Sequence, residues 1–457
     1  MAQQVPVGQW KAHFSYYDAF NVVEAGNKIY CATRGGLFYY DKSDNSVQQM
    51  SKIEGLSDVS ISALAYDEQT AQVIITYADC NIDILQGNQI HTISDFKLKT
   101  ILGNKYVNSI YVNKGLAYLC CGFAIVVVDL EKYEIRDTYY LGANNSSLAV
   151  LELTIAGGRF YATTIGGIYE ADASDPFLAS SDKWKKHGIA QQIPAKLSRV
   201  ITTFRDVAYA SFGDSVYKFN GSTWQLSPLY AVSCRDMKVQ NGNLLVITSF
   251  SVIAYADENQ LSKVYGKLTF NLHDAIIDAQ GACWQADGTY GLVKNIDGNV
   301  TLLSPNGPAY PSNARIKSEG GKIFATTSLP ISANYSELGM YIYEQGSWTS
   351  INRYTTTNID TVRDYLCSAY NPITDKIMVG TFRSGLVEFK GKILSKIYTP
   401  YNSPIQKVPG DEGSVRLFDI GYDSNQNLWV LNTMTDKPVL KLDAKGKWTS
   451  YGFSELP

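Results

Sequence analysis

The residues of this sequence that could do chemistry are scattered, and they lack the spacings that catalytic sites use. The four histidines, His13, His91, His187 and His273, stand far apart in the chain. No G-x-x-x-x-G-K-[ST] loop, G-x-S-x-G elbow or H-E-x-x-H pair occurs, so neither a phosphate-cradling loop nor a hydrolase serine nor a zinc helix is indicated. The sequence therefore predicts no enzyme: no catalytic residue, no cofactor-binding residue, no metal site and no cofactor.

Acidic residues offer two further candidates for chemistry. The segment 423–427 resembles a calcium loop, but Leu428 and Met434 stand where that loop needs a glycine and a glutamate. It is interpreted as a polar hairpin. The neighbouring carboxylates Asp67-Glu68 and Asp411-Glu412 are the obvious candidates for a glycoside-cleaving pair. Both pairs stand in turn-like contexts and are interpreted as solvated turn residues.

Composition excludes several classes of protein. The chain has 457 residues, 45% of them hydrophobic, and a formal net charge of -3. A nucleic-acid binder would be basic, and a transmembrane helix would need about 18 consecutive apolar residues, which do not occur. The start, Met1-Ala2-Gln3-Gln4, shows no signal peptide. The seven cysteines are an odd number without a C-x-x-C pair, and they are interpreted as buried free thiols.

A repeat must position whatever the chain binds. Ten segments carry a polar turn, a short apolar strand with an aromatic residue, a Thr/Ser/Gly break and a second strand. The pattern is clearest at residues 27–41, 158–170 and 376–389. Roughly 37 to 54 residues separate the units, which is the spacing of propeller blades. The stretch before each turn alternates apolar and polar residues, so each unit is predicted to be a four-stranded antiparallel sheet.

The predicted fold class is all-β: one seven-bladed β-propeller plus blades of a second ring. Residues 8–14 resemble an outer strand with no inner strands before it, and we expect that strand to close the first ring by joining its last blade. Seven blades reach Ser304, where a proline cluster, residues 305–311, indicates a boundary. The predicted domains are therefore a propeller over residues 1–308 and about three further blades over residues 309–457. Three blades do not close a ring, so the chain is either a fragment of a longer protein or carries rings interleaved in sequence.

The propeller geometry indicates where a ligand would bind. The loops that join the second and third strands of the blades converge on one face, around the central channel. Arg34, Tyr290 and Arg383 stand in such loops. Arginine suits carboxylate or phosphate groups and tyrosine suits polar ligands, so these three residues are the predicted ligand-binding residues. The alternative is that they fill contacts between blades.

The repeat resembles known families. Units in which a Gly-Leu pair is followed by an aspartate turn, an L-W or I-Y strand and a GGL-type break resemble two-component-regulator propeller repeats. A narrower resemblance is to the PorZ family of the type IX secretion system in Bacteroidetes. It rests on these segments: Trp10-Lys11-Ala12-His13-Phe14-Ser15-Tyr16, Asn27-Lys28-Ile29-Tyr30, Gly35-Gly36-Leu37, Pro305-Asn306-Gly307-Pro308 and Asn427-Leu428-Trp429-Val430.

The PorZ resemblance implies two seven-bladed propellers, a small C-terminal β-domain and exposure at the outer membrane. It implies a non-enzymatic binding or scaffold protein that recognises anionic lipopolysaccharide and partner proteins of the secretion complex. The expected location is then the outer-membrane surface or the periplasm. Two alternatives stay open: the glycan-sensing propeller of a hybrid two-component histidine kinase, and a propeller polysaccharide lyase or glycosidase. The family's binding residues are not defined well enough by motifs to be transferred.

Overall fold

A computed structural model describes residues 11–101, 103–266, 271–311, 314–329, 335–353, 355–359 and 361–453. In this part of the chain the strands form ten four-stranded antiparallel sheets, each built from four strands that follow one another in sequence. The predicted all-β propeller fold is confirmed. Contacts divide the chain into two compact units, separated between Pro305 and Asn306.

The larger unit, from Ser15 to Pro305, contains seven blades. Blade 1 has β1 Ala19–Ala25, β2 Lys28–Thr33, β3 Gly36–Asp41 and β4 Ser46–Met50. Blade 2 has β5 Ile61–Asp67, β6 Gln72–Tyr77, β7 Ile82–Gln86 and β8 Gln89–Ile93. Blade 3 has β9 Val107–Asn113, β10 Leu116–Cys121, β11 Ile125–Asp129 and β12 Glu134–Tyr139. Blade 4 has β13 Val150–Ala156, β14 Arg159–Thr164, β15 Gly167–Asp172 and β16 Lys185–Lys186.

The remaining three blades of this unit follow the same order. Blade 5 has β17 Ser198–Phe204, β18 Val207–Phe212, β19 Ser215–Phe219 and β20 Trp224–Tyr230. Blade 6 has β21 Cys234–Gln240, β22 Asn243–Thr248, β23 Val252–Asp257 and β24 Gln260–Tyr265. Blade 7 has β25 Leu272–Ile277, β26 Cys283–Asp287, β27 Gly291–Ile296 and β28 Asn299–Leu302. The helical segments are short: Lys52–Glu54, Asp95–Leu98, Ala143–Asn145, Ser181–Lys183 and Ile189–Gln191.

The smaller unit contains three blades. Blade 8 has β29 Arg315–Glu319, β30 Lys322–Thr326, β31 Met340–Glu344 and β32 Ser347–Ile351. Blade 9 has β33 Tyr365–Asn371, β34 Lys376–Thr381, β35 Leu386–Lys390 and β36 Ile393–Tyr398. Blade 10 has β37 Leu417–Tyr422, β38 Leu428–Asn432, β39 Val439–Leu442 and β40 Trp448–Tyr451. Their inner strands β29, β33 and β37 are neighbours in that order.

The Thr/Gly break of the repeat is a loop closed by the threonine side chain. In blade 1 the Thr33 hydroxyl donates to the Gly36 carbonyl at 2.8 Å and accepts from the Gly36 amide at 3.1 Å. Thr381 makes the corresponding bond to the Gly385 carbonyl at 2.8 Å in blade 9. Because the buried hydroxyl satisfies loop backbone groups, the second strand can turn tightly into the third.

The seven blades of the larger unit form a closed ring, since β1 of blade 1 lies beside β25 of blade 7. Asp274 on β25 accepts from the Val22 amide at 2.9 Å and from the Asn21 side chain at 2.6 Å. Farther out, the rings of Tyr40 and Trp284 are 5.2 Å apart. Both blades at the junction supply all four of their own strands, so the ring closes by packing of complete blades.

The predicted closing strand at the N-terminus is wrong for its described residues. Residues 11–14 are not in a strand, and they group with the smaller unit. There the Trp348 indole donates to His13 Nδ1 at 3.0 Å, and the Tyr343 ring lies 4.8 Å from the His13 ring. Two aromatic side chains of blade 8 thus bind the N-terminal segment through His13, a contact that the sequence pattern did not reveal. Gly8, Gln9 and Trp10 of the predicted strand lie outside the described residues.

Glycine at the break of blade 1 allows a close approach by the segment that leads into the ring. A Cβ on Gly35 would stand 2.1 Å from the Ser15 carbonyl oxygen, far inside a normal contact. Next along the chain, the buried Tyr16 ring packs against Phe38 at 5.6 Å. The GGL motif used for the family resemblance therefore has a steric reason: only glycine leaves room for this backbone.

Candidate functional site

A central channel runs between the inner strands of the seven blades. Residues of β1, β5, β9, β13, β17, β21 and β25 line a cavity of about 660 Å³. Each of these inner strands carries a bulge near its first residue, where the register to the second strand shifts. A bulge turns an extra side chain away from the regular alternation. The bulged residues all line the cavity: Phe20, Ser62, Asn108, Leu151, Arg199, Val200, Arg235 and His273.

The bulge residues give the channel mouth a basic arc. Arg199, Arg235 and His273 come from blades 5, 6 and 7, which are adjacent, whereas the bulges of blades 2 to 4 carry neutral residues. Arg34, in the loop between β2 and β3, extends the arc into blade 1, and its guanidinium lies 4.6 Å from the Phe20 ring. We call Arg34, Arg199, Arg235 and His273 the basic arc. The three arginines are exposed.

His273 is the member of the arc whose charge changes with pH in the acid range. Burial and the nearby Arg235 lower the pKa of His273 below its ordinary value of 6.5, so the imidazole is neutral at pH 7. Asp18 faces the same point, and burial raises the pKa of its carboxyl, while Arg34 and His273 act in the opposite direction. The arc therefore gains positive charge and loses its negative neighbour as the pH falls.

Below the mouth lies a largely buried layer of mixed charge. Glu152, Asp236 and Asp274 each follow a bulge residue, and Lys238 lies 2.5 Å from Asp274 and 3.5 Å from Asp236. Burial, together with the charge of Asp236, raises the pKa of Glu152 well above 4.5. Burial raises the pKa of Asp236 to about 6, with Lys238 opposing the shift. Three carboxyl groups and one ammonium group make this layer a poor site for an anion. An anion is therefore expected to bind at the mouth, beside the arginines.

The carboxylates of this layer hold neighbouring blades together. Glu152 of blade 4 accepts from the Ile201 amide of blade 5 at 2.7 Å. Asp274 of blade 7 accepts from the Val22 amide of blade 1, and the Asn21 side chain of blade 1 accepts from the Leu64 amide of blade 2 at 2.7 Å. These side chains accept hydrogen bonds from inner-strand amides that have no backbone partner in the neighbouring blade. Their presence in the channel therefore has a structural explanation.

The raised pKa of Glu152 leads to a prediction about stability. A group whose pKa is higher in the folded than in the unfolded state binds a proton preferentially in the folded state. Its contribution to the unfolding free energy therefore falls as the pH rises above about 4.5, the pKa of an ordinary glutamate. Replacing Glu152 with Gln keeps the oxygen that accepts from Ile201 and removes the titration. We expect the unfolding free energy of E152Q to decline less between pH 5 and pH 8 than that of the wild type. Urea titrations at several pH values measure this, and parallel curves would contradict it.

The structure places the three sequence-predicted binding residues in different surroundings. Arg34 belongs to the basic arc. Tyr290 is half-buried in the corresponding loop of blade 7, where its amide donates to Asp287 Oδ1 at 2.9 Å. Arg383 belongs to the smaller unit, where its guanidinium stacks on the Tyr335 ring at 4.3 Å. Arg34 and Tyr290 thus lie on adjacent blades of one ring, and Arg383 lies in a different unit.

Sequence reasoning missed Arg199, Arg235 and His273. Each stands next to the first residue of an inner strand, where simple alternation assigns it no special role. The available signal was a polar residue doublet early in the strand, as in Arg235-Asp236 and His273-Asp274. Such a doublet breaks the period of two and marks a bulge.

Other candidate residues are occupied by structural contacts. Asp423 accepts from the Asn427 amide, the Asn427 side chain and the Trp429 indole, each at 2.9 Å, which holds the pKa of its carboxyl at about 2. Its hairpin interpretation is confirmed. Asp67 is buried rather than solvated, since it accepts from the Thr70 amide and hydroxyl. Within the described residues, no three His, Cys, Asp or Glu side chains are grouped as a metal site would require.

Comparison with known proteins shows which of them the chain resembles. Residues 29–185 match the profile of the family described as the N-terminal β-propeller domain of PorZ from the type IX secretion system. The structure is similar to that of PorZ from Porphyromonas gingivalis, with a TM-score of 0.83 and 21% sequence identity, over 98% of this chain and 61% of the PorZ chain. The predicted PorZ resemblance is confirmed. This chain spans 61% of the length of the PorZ chain.

Two further structures align with most of the chain at low sequence identity. An ancestral GH74 enzyme aligns with a TM-score of 0.63 at 11% identity, over 96% of this chain and 69% of the enzyme. The extracellular domain of BT4673 from B. thetaiotaomicron, a putative one-component system, aligns over 96% of this chain and 67% of that chain at 13% identity, with a TM-score of 0.41. No curated protein sequence matches the chain. The GH74 similarity shows the fold alone.

Proposed function

We propose that this PorZ-like chain is a non-enzymatic binding protein of the cell envelope. In this proposal it assists type IX secretion by recognising anionic lipopolysaccharide and partner proteins of the secretion complex. The PorZ of P. gingivalis is described as an essential bacterial surface component of the type IX secretion system. The family profile over residues 29–185 supports the same system for this chain, and exposure at the outer-membrane surface or in the periplasm follows from it.

The basic arc is the observation that carries the proposal. It places three exposed guanidinium groups and one imidazole on four adjacent blades around one side of a channel mouth. Guanidinium groups bind phosphate and carboxylate through paired N–H donors. The protein as a whole has a net charge of -3, so this arc is a local reversal of sign. A phosphate- or carboxylate-bearing glycan fits such an arc.

A purely binding role is supported by how the channel carboxylates are used. A glycosidase needs one carboxyl that can donate a proton and one free to attack or activate water. Here Glu152 and Asp274 accept backbone amides of the neighbouring blade, and Asp236 and Asp274 contact Lys238. In addition, no helix among the described residues is long and apolar enough to span a membrane.

Binding of lipopolysaccharide by the full chain tests the proposal. Lipopolysaccharide purified from P. gingivalis is immobilised, and binding of the chain is measured by surface plasmon resonance before and after the phosphate groups are removed with hydrofluoric acid. We expect at least tenfold weaker binding after dephosphorylation, because the lipopolysaccharide then lacks the phosphate groups that the arginines would bind. Equal binding to both preparations, or binding to neither, would overturn the proposal.

The charge of the arc predicts a pH dependence. Burial and Arg235 hold the pKa of His273 below 6.5, so the imidazole gains its proton only below that pH, and the affinity for an anion should rise as the pH falls through that range. Arg34, Arg235, Asp18 and Asp287 face His273, and protonation of Asp18 acts in the same direction. Dextran sulfate is the suitable probe, because its own charge does not change in this range. The variant H273Q should show a flatter profile, and a wild-type affinity that falls toward acid pH would contradict the expectation.

A further inference from the structure

The smaller unit presents a second surface on its loop face. In each four-stranded blade, the loop between the second and third strands lies at the same end as the connection that enters the first strand. In blades 8, 9 and 10 these loops include Tyr335, Arg383 and Met434, and the connection from β36 to β37 includes Tyr401 and Lys407. Because β29, β33 and β37 are successive neighbours, these residues share one face.

Exposed apolar side chains on this face are each paired with a cation. The side chains of Tyr335, Tyr401 and Met434 are 60%, 87% and 62% exposed. The guanidinium of Arg383 stacks on Tyr335 at 4.3 Å and the ammonium of Lys407 lies 5.7 Å from the Tyr401 ring. Arg416 Nη1 donates to the Met434 sulfur. We call these six residues the loop-face patch: Tyr335, Arg383, Tyr401, Lys407, Arg416 and Met434.

Contacts through the segment 411–413 join the members of the patch. Arg383 Nη1 donates to the Gly413 carbonyl at 3.5 Å, and Arg416 Nη2 lies 3.3 Å from Asp411 Oδ2. Lys407 donates to Glu412 at 3.1 Å. The three cations therefore surround one short loop, and the patch is continuous across blades 9 and 10.

The two arginines of the patch are held in place before any partner binds. Arg383 stacks on Tyr335, and the guanidinium of Arg416 lies 5.0 Å from the Phe382 ring. A stacked guanidinium has lost much of its side-chain freedom, so less entropy is lost when it binds a carboxylate. Glu412 is a weak competitor for such a partner, since its side chain is 81% exposed.

We infer that the loop-face patch binds an acidic polypeptide segment that carries aromatic or apolar side chains. Tyrosine, arginine and methionine are the residue types enriched at protein interfaces, and exposed methionine adapts its shape to apolar side chains of a partner. The three cations supply charge complementarity to carboxylates of the segment. This inference deepens the partner-binding part of the proposed function and rests on it only for where the partner comes from. It is independent of the basic arc.

The test uses the full chain and a labelled random copolymer of glutamate and tyrosine as the probe. Fluorescence anisotropy measures the dissociation constant for the wild type and for R383A, R416A and Y401A. We expect each arginine variant to weaken binding at least tenfold and Y401A to weaken it about threefold. R383K, which keeps the charge and loses the planar stack, should fall between wild type and R383A. K390A, which removes an exposed cation at the opposite end of blade 9, is the matched control and should stay within twofold.

Several results would overturn the inference. They are equal affinity for polyglutamate without tyrosine, equal losses in K390A and R383A, and displacement of the copolymer by lipopolysaccharide, which would make the patch a glycan site. Urea unfolding of each variant, followed by tryptophan fluorescence, shows whether it is folded. If the wild type binds the copolymer but does not bind lipopolysaccharide, the proposed glycan recognition is wrong and this inference stands.

Discussion

Replacing Asp274 with alanine is expected to lower the unfolding free energy of the seven-bladed unit by about 3 kcal/mol. Asp274 is 3% exposed, and its carboxylate accepts from Val22, Asn21 and Ala275 and pairs with Lys238. The alanine variant leaves a buried amide and a half-paired ammonium at the junction that closes the ring. Urea unfolding followed by tryptophan fluorescence measures the change, with the two units fitted as separate transitions.

Asp419 provides a matched control for this prediction. It follows the bulge of β37 as Asp274 follows the bulge of β25, and it accepts from the next amide, that of Ile420, at 2.9 Å. Its side chain is 59% exposed and lies 3.7 Å from Arg315, so D419A should cost less than about 1 kcal/mol. Similar losses in D274A and D419A would show that Asp274 has no special role in closing the ring.

Removing the three arginines of the basic arc is expected to weaken binding of anionic lipopolysaccharide about a hundredfold, which corresponds to roughly 2.7 kcal/mol. The variant is R34Q/R199Q/R235Q. Each lost guanidinium removes charge-assisted hydrogen bonds to phosphate or carboxylate. The expected loss of binding free energy per arginine is kept small, because the three side chains are exposed. Surface plasmon resonance at constant salt measures the dissociation constant, and the salt dependence of the variant should be shallower than that of the wild type.

A triple variant with the same loss of charge elsewhere on the ring separates local from general electrostatics. Lys114, Lys132 and Arg205 lie in turns at the opposite end of their blades from the channel mouth. K114Q/K132Q/R205Q should bind within about threefold of the wild type, because at physiological salt charges on the far face are largely screened. An equal loss in both triple variants would mean that net charge, and not the basic arc, determines binding.

The repeat units were predictable because their signals are local. The Gly157-Gly158 turn, where both residues have positive φ, and the second strand Arg159–Thr164, buried along most of its length, illustrate this. A two-residue turn of this kind requires residues that tolerate positive φ, and alternation fixes which side chains face the neighbouring blade. Ten blades, their second strands and the positions of Arg34, Tyr290 and Arg383 in second-to-third-strand loops follow from such patterns.

The candidate site was less predictable, because it is assembled from different blades. Arg199, Arg235 and His273 are separated in sequence and come together only because the inner strands of blades 5, 6 and 7 converge. Their direction depends on bulges, and a bulge is a property of pairing between two strands. Among the predicted residues, Arg34 belongs to this arc, while the binding roles of Arg34, Tyr290 and Arg383 remain predictions.

The sequence by itself determined the blade as a unit and the all-β class, because both depend on turns and alternation within about 40 residues. Its short motifs carried the resemblance to PorZ. Only the tertiary structure decided how the ring closes and where residues 11–14 lie. Asp274 bonds to Asn21 and Val22 across 252 or more positions, and His13 contacts Trp348 across 335 positions. Contacts at such separations leave no periodic trace in a sequence, since they depend on the shapes and hydrogen-bonding groups that meet when the whole chain has folded.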